Sequence, residues 1–277
     1  NIKENNTMPE LPEMETYKKL LNNKLAGKII TDIEVNREKS INTSSLQFIQ
    51  EILGKQIVEI DRRAKHLIFR LDSGKNLLLH LMLGGWMYIG NEHDNPNRTK
   101  QVILSFDDMK LYFIGLRLGY LHLLDEQDLE QKLSDLGPEP LEPDFTFNHF
   151  QNTLQSKRGK LKLTLINQKI ISGIGNHYSD EICFDAKIRP TVTVNSLETD
   201  NLFSVYNSIH TILQKAISLG GYMDNPLFLG DQLTGVYNNH TLVYDREGEK
   251  CRRCGGTIVK IELSSRKCFY CPDCQEG

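Results

Sequence analysis

Four cysteines near the carboxyl end carry the clearest chemistry in the chain: Cys251-x2-Cys254, then sixteen residues, then Cys271-x2-Cys274. Two such turns present four thiolates to one tetrahedral Zn²⁺, and a short hairpin fills the gap between them. Cys268 offers an alternative partner for Cys271, but Cys271-Pro272-Asp273-Cys274 makes the tighter second knuckle. Four thiolate ligands fill the coordination sphere and leave no position for a catalytic water, so this zinc is structural. The sixth cysteine, Cys183, falls in a helical run and reads as core. Paired thiols in a chain of 277 residues point to a metal in a reducing compartment rather than a disulfide framework. The knuckle is basic: Lys260, Arg266 and Lys267 lie between its two pairs, and Arg252 and Arg253 follow its first cysteine. A hairpin so charged suits a phosphate backbone.

The amino end holds a second unusual segment, Met8-Pro9-Glu10-Leu11-Pro12-Glu13-Met14-Glu15. Pro12 pre-sets a helix start, and Glu13 and Glu15 favour its positive end. That local argument leaves Pro9-Glu10 unexplained. The polar residues before Met8 contain no apolar core and do not form a secretory signal.

The elements that must position these groups follow from pattern and charge. Strand-like runs occupy Lys28–Val35, Gln56–Asp61, His66–Leu71, Asn76–Leu81, Gln101–Phe106 and Lys110–Phe113, separated by Gly- or Asp-rich turns. Their short, regular spacing predicts a β-sandwich or barrel. A helix precedes them over Glu13–Asn23, and helical periods resume over Phe145–Ser156, Leu161–Leu165, Gly175–Phe184 and Asp200–Leu219. From Gly220-Gly221 to about Leu242 the chain reads as a mobile loop. The expected class is α+β: an extension over residues 1–8, an N-terminal β-sandwich domain over 9–130, and an acidic, proline-rich linker over 131–144. A C-terminal helical domain over 145–236 and a zinc finger over 237–277 complete it. Net charge is −3, which alone argues against a nucleic-acid partner. Its distribution reverses that argument. Asp125 to Asp144 holds eight acids against Lys132, which leaves the rest of the chain, relative to the −3 total, at +4. Such a chain can present a mildly basic face to DNA. No apolar run reaches the ~20 residues that a bilayer span needs, so a soluble protein without a membrane partner is expected. The reducing compartment points to the cytoplasm, a DNA partner would make the protein nucleoid-associated, and a monomer is the default expectation.

Taken together, the segments resemble the formamidopyrimidine-DNA glycosylase and endonuclease VIII family. Its members begin Pro-Glu-Leu-Pro-Glu after removal of Met, as Pro9–Glu13 do here. Arg62-Arg63-Ala64-Lys65-His66-Leu67 is similar to the family's β-turn lysine, and Leu136–Leu141 to its interdomain linker. Gly173-Ile174-Gly175-Asn176-His177-Tyr178 matches the turn of its helix–two-turn–helix motif, and Val243–Gly248 leads into its zinc finger. The resemblance implies double-stranded damaged DNA as partner and a glycosylase with associated abasic-site lyase activity. Pro9 would attack the sugar as a free secondary amine, Glu10 would move protons, and Lys65 would sit beside the lesion. Arg266, Lys157, Asn176 and Lys162 would hold the backbone, and the damaged base would be flipped out between the domains.

Three departures from the family pattern stand out. Pro9 follows eight residues in this chain, and an acylated proline nitrogen has no lone pair to donate; a chain left so would bind damaged DNA without cutting it. The wedge that fills the gap left by the flipped nucleotide reads Leu83, Leu116 and Leu118 where the family has Met, Arg and Phe, although Arg117 matches. Without the guanidinium, reading of an opposite cytosine is lost. Finally, a family histidine falls near Thr99, and Tyr222-Met223-Asp224-Asn225 lacks the hydroxyl pair usual after the double glycine.

Overall fold

The computed structural model describes residues 8–277. The expected extension thus lies, apart from Met8, outside the described residues. The chain forms two compact units: one holds the residues up to Asp135 together with Leu219–Val236, the other Leu136–Ser218 and Tyr237–Gly277.

The first unit is a β-sandwich led by helix α1 (Leu11–Leu25) and containing α2 (Ser45–Ile52). One sheet orders β2 (Ile57–Arg63), β3 (His66–Leu71), β4 (Asn76–His80) and β8 (Tyr120–Leu124). The other orders β1 (Asp32–Val35), β6 (Lys100–Ser105), β7 (Lys110–Ile114) and β5 (Trp86–Gly90). Every pairing is antiparallel, and among the described residues no strand of one sheet pairs with a strand of the other, which resolves the choice between sandwich and barrel in favour of two separate sheets. Alternation sorts the side chains. Leu67, Phe69, Leu77 and Leu79 face a shared core with Val102, Leu104, Leu111 and Phe113. Ile68 and Leu78 point the other way, onto Leu129 of α3 (Glu126–Leu133). That helix opens the acidic belt, and the Asp125 side chain caps it by accepting the Asp128 N–H.

Residues 219–236 behave differently from the loose loop that their glycines suggest. The Ile89 N–H donates to the Leu227 carbonyl at 2.7 Å, extending the sheet, and Leu227 is wholly buried in the sandwich core. Residues 219–236, expected within the helical domain, therefore group with the first unit.

The second unit contains α4 (Phe147–Gln155), α5 (Leu161–Leu165), α6 (Asn176–Asp185), α7 (Thr199–Ser218) and the hairpin β9 (Val259–Leu263) and β10 (Arg266–Tyr270). The turn between α5 and α6 is built on Gln168. Its amide nitrogen donates to the Ile166 and Ile174 carbonyls, and its oxygen accepts the Gly173 N–H at 2.8 Å. No helix among the described residues is long and apolar enough to cross a membrane.

Candidate active site and nucleic-acid interface

In the first unit, Pro9 is buried immediately before α1, and Glu10, with 2% of its surface exposed, is the residue that opens the helix. Glu13 organises this end. Its Oε2 accepts the Glu10 N–H at 2.8 Å, and its Oε1 accepts the Tyr222 N–H at 2.8 Å. Gly221 has φ +73, and a Cβ there would run into the Glu13 carboxylate. Only glycine combines that dihedral with so close an approach.

Lys65 occupies the tight turn between β2 and β3, next to Ala64 at φ +53, and is largely buried. A short ion pair, Arg62 Nε to Glu15 Oε2 at 2.6 Å, ties this hairpin to α1. Burial works against the Glu15 charge, but Arg62 and Lys18 outweigh it and hold the carboxyl below its ordinary range. Behind Lys65 lies a histidine cluster that sequence reading did not single out. His66 and His80 meet edge to face at 4.3 Å, and Tyr120 stacks on His122 at 4.1 Å. Burial depresses His66 to about 4 and His80 to about 3, and the Lys65 ammonium adds to both effects. Neutral imidazoles therefore back the lysine at physiological pH. The signal was present in the alternation of His66, His80 and His122 with buried leucines.

The three wedge leucines separate. Leu83 is 43% exposed and Leu118 is 63% exposed, on two loops that meet through glycines. A Cβ on Gly115 would strike the Gly84 carbonyl, and one on Gly119 those of His80 and Leu81. Leu116 is different: it is wholly buried in the sandwich core, and its N–H donates to Gln101 Oε1 at 3.1 Å. The expectation that Leu116 enters DNA is therefore corrected, because its side chain is committed to the core. Arg117, beside it, is exposed.

In the second unit, Asn176 is the first residue of α6, where backbone N–H groups lack helical partners and attract anions. Lys157 is partly exposed in the loop after α4, beside exposed Arg158 and Lys160. Lys162 needs correction. It is 0% exposed, and its ammonium lies 2.7 Å from Asp180 Oδ1 and 3.1 Å from the Asn176 carbonyl oxygen. A lysine so enclosed cannot touch phosphate; it holds the turn that carries Asn176. Asp180 in turn accepts the Phe269 N–H at 2.9 Å, linking α6 to β10. Burial pushes the Asp180 carboxyl up to about 7, restrained by Lys162 and by that amide.

Glu181 was also missed. Its carboxylate accepts the N–H groups of Leu242, Val243 and Tyr244 between 2.8 and 3.0 Å, fixing the segment that leads to the zinc finger. Burial pushes its carboxyl up, and those three donors with Tyr237 oppose the rise. Two adjacent acids directly before the apolar run Ile182-Cys183-Phe184 were the available signal.

The sulfurs of Cys251, Cys254, Cys271 and Cys274 all lie within 4.8 Å of one another. Zn–S bonds of about 2.3 Å in a tetrahedron require S···S separations of about 3.8 Å. Cys251–Cys274 at 3.8 Å and Cys254–Cys271 at 3.5 Å meet that requirement. The N–H groups of Arg253 and Gly256 point at two of the sulfurs, as thiolate ligands need. Cys268 is buried in β10 and takes no part, and Cys183 is core. These cysteines are the site of one structural zinc ion. At the hairpin tip, Ser264 and Ser265 take φ +49 and +60, a turn that matches strand twist and leaves Arg266 and Lys267 exposed beside it.

Comparison with known proteins agrees with this geometry. Residues 8–120 match the formamidopyrimidine-DNA glycosylase N-terminal domain, 136–225 its H2TH domain, and 248–277 the zinc finger found in FPG and IleRS. The formamidopyrimidine-DNA glycosylase of Chloroflexus aurantiacus is 36% identical over 276 residues, covering 97% of this chain and 98% of its own length. That of Pelotomaculum thermopropionicum is 34% identical over 274 residues, covering 97% and 99%. Lactococcus lactis Fpg in complex with DNA containing an abasic site superposes with a TM-score of 0.90 at 34% identity, covering 97% of this chain and 100% of that one. The same values hold for a mutant of that Fpg in complex with DNA containing Fapy-dG. The chain therefore belongs to the formamidopyrimidine-DNA glycosylase family, the bifunctional glycosylase and abasic-site lyases of base-excision repair.

Proposed function

We propose that this enzyme excises formamidopyrimidine-type and other oxidised bases from duplex DNA and then opens the resulting abasic site, with the Pro9 nitrogen as nucleophile. The observation that carries this reading is the built amino end: Pro9 is buried at the start of α1, with the next amide clamped on Glu13. Chemistry requires that Met8 and the residues before it be removed, since only a free secondary amine has a lone pair. With a pKa near ~8, such an amine is partly neutral at physiological pH. The match to the family's N-terminal domain begins at residue 8, which supports this reading.

The neutral nitrogen attacks C1′ as the bond to the base breaks, and the proton that the attacking amine sheds neutralises the departing base. Glu10, acting as acid, gives a proton to the ring oxygen as the sugar opens to an iminium. Loss of a C2′ proton then expels the 3′ phosphate, and water returns the free amine. Lys65 sits beside the damaged nucleotide, Arg266, Asn176 and Lys157 hold backbone phosphates, and Arg117 adds a further contact. Leu83 and Leu118 supply an apolar wedge in the emptied stack. This wedge offers no hydrogen bond to a base edge, so excision is tolerant of the opposite base.

The test is reductive trapping. Protein whose intact mass shows Pro9 first is mixed with duplex DNA bearing an abasic site, and borohydride is added. A covalent protein–DNA adduct supports the reading. Its absence leaves a protein that binds damaged DNA without cutting it.

A further inference from the structure

Tyr222 takes no part in the chemistry set out above, yet its hydroxyl donates to the Met8 carbonyl oxygen at 2.8 Å. That oxygen belongs to the peptide bond whose nitrogen is that of Pro9. Covalent geometry separates the two atoms by about 2.3 Å, so the hydroxyl lies within roughly 5 Å of the proline nitrogen.

The placement is rigid. Glu13 carries the Tyr222 amide on one carboxylate oxygen and the Glu10 amide on the other, each at 2.8 Å. One buried side chain therefore sets the distance between Tyr222 and the residue that follows Pro9. Gly221 brings the backbone flush against that carboxylate. Met223 and Leu227, both buried, anchor the segment on the far side, and Tyr222 itself is only 9% exposed.

A terminal proline nitrogen, when neutral, has one N–H and one lone pair, and it exchanges them by inversion. An acceptor fixed on one side takes the N–H and leaves the lone pair on the other. A carboxylate in that place would hold the amine as its cation; a phenol carries no charge and leaves it free to deprotonate. We propose that Tyr222 is a positioning residue for the Pro9 amine: in the chain that begins at Pro9, its phenol oxygen accepts one of the two N–H bonds of the protonated amine, so that loss of the other proton to solvent leaves the lone pair facing C1′. This inference rests on the reading of Pro9 as nucleophile.

The experiment compares wild-type protein beginning at Pro9 with Tyr222→Phe, which keeps the ring and its packing. Affinity is measured on duplex DNA bearing a tetrahydrofuran site, which cannot form an imine. The single-turnover rate of borohydride-trapped adduct is measured on an abasic duplex across pH. The expected result is affinity within about twofold of wild type and a rate lower by about tenfold, the worth of one hydrogen bond, with an unmoved pH midpoint. A rate within twofold of wild type overturns the proposal. A parallel loss of affinity overturns it too, because Tyr222 then acts as scaffold for the segment. A midpoint displaced by about one unit or more overturns it in favour of proton transfer by Tyr222. No adduct from wild type removes the Pro9 mechanism and this inference together, whereas a normal wild type beside an unaltered Tyr222→Phe removes the inference alone.

Discussion

Glu13 and Tyr222 stand 209 residues apart in the chain and share a buried hydrogen bond of 2.8 Å from the tyrosine amide to the carboxylate. The same carboxylate receives the Glu10 amide, so the amino end and the segment after Gly220-Gly221 form one assembly within the β unit.

Glu13→Ala leaves both amides without their acceptor, and each buried loss costs about 1–3 kcal/mol. Gly221→Ala adds a Cβ at a left-handed φ and against the carboxylate, a destabilisation of more than about 1 kcal/mol. Urea unfolding followed by Trp86, the only tryptophan and a buried member of this unit, measures both. A midpoint unchanged in either variant contradicts the assignment.

The buried pair Lys162–Asp180 makes a sharper demand. Lys162→Met strands a buried carboxyl and is expected to cost about 3–5 kcal/mol, while the double variant Lys162→Met with Asp180→Asn recovers most of that loss. Thermal unfolding of the four members of this cycle gives the coupling. Additive losses show that the pair is not coupled.

Much of this arrangement was legible in the residues, and the exceptions have physical causes. The CxxC pairs and the Pro9-Glu10 segment are local patterns, and spacing alone carries their chemistry. The strand β5 escaped the pattern reading because Trp86–Ile89 is a continuous apolar run between glycines, without alternation; β8, where Tyr120 and His122 alternate with leucines, escaped it too. Lys162 and Leu116 show a deeper limit. A lysine near a turn resembles a phosphate ligand until its partner, Asp180, is found eighteen positions along, on the next helix. Leu116 resembles its exposed neighbour Leu118 until the strand reversal fixes which of the two faces the core. Burial is a property of the fold, and no local spacing encodes it.

The histidines give a pH dependence with a definite sign. His66 and His80 are held near 4 and 3, below the ordinary 6.5 of an imidazole. Their contribution to stability is therefore complete above pH 6.5 and is lost as pH falls to about 4 for His66 and about 3 for His80, a range in which the unfolded chain takes protons that the folded one refuses. Each histidine adds up to about 1.4 kcal/mol per pH unit in that window. Trp86-monitored unfolding at pH 7 and pH 5 is expected to show the loss, and His66→Gln or His80→Gln to flatten it. A wild-type midpoint equal at both values rules the mechanism out.

Arg266 and the zinc site are tested together by salt and chelator. Arg266→Ala is expected to lower the slope of log affinity against log salt by about 0.9, one phosphate contact. Excess chelator is expected to abolish DNA binding while the Trp86 unfolding transition persists, because the cysteines and Trp86 lie in different units. An unchanged slope removes Arg266 from the phosphate backbone, and retained binding in chelator separates the finger from recognition.

The most direct measurement is to digest the borohydride-reduced adduct and locate the sugar by tandem mass spectrometry. Attachment at the nitrogen of Pro9 is the predicted result. A sugar carried by the Lys65 side chain, or by any residue other than Pro9, contradicts the account.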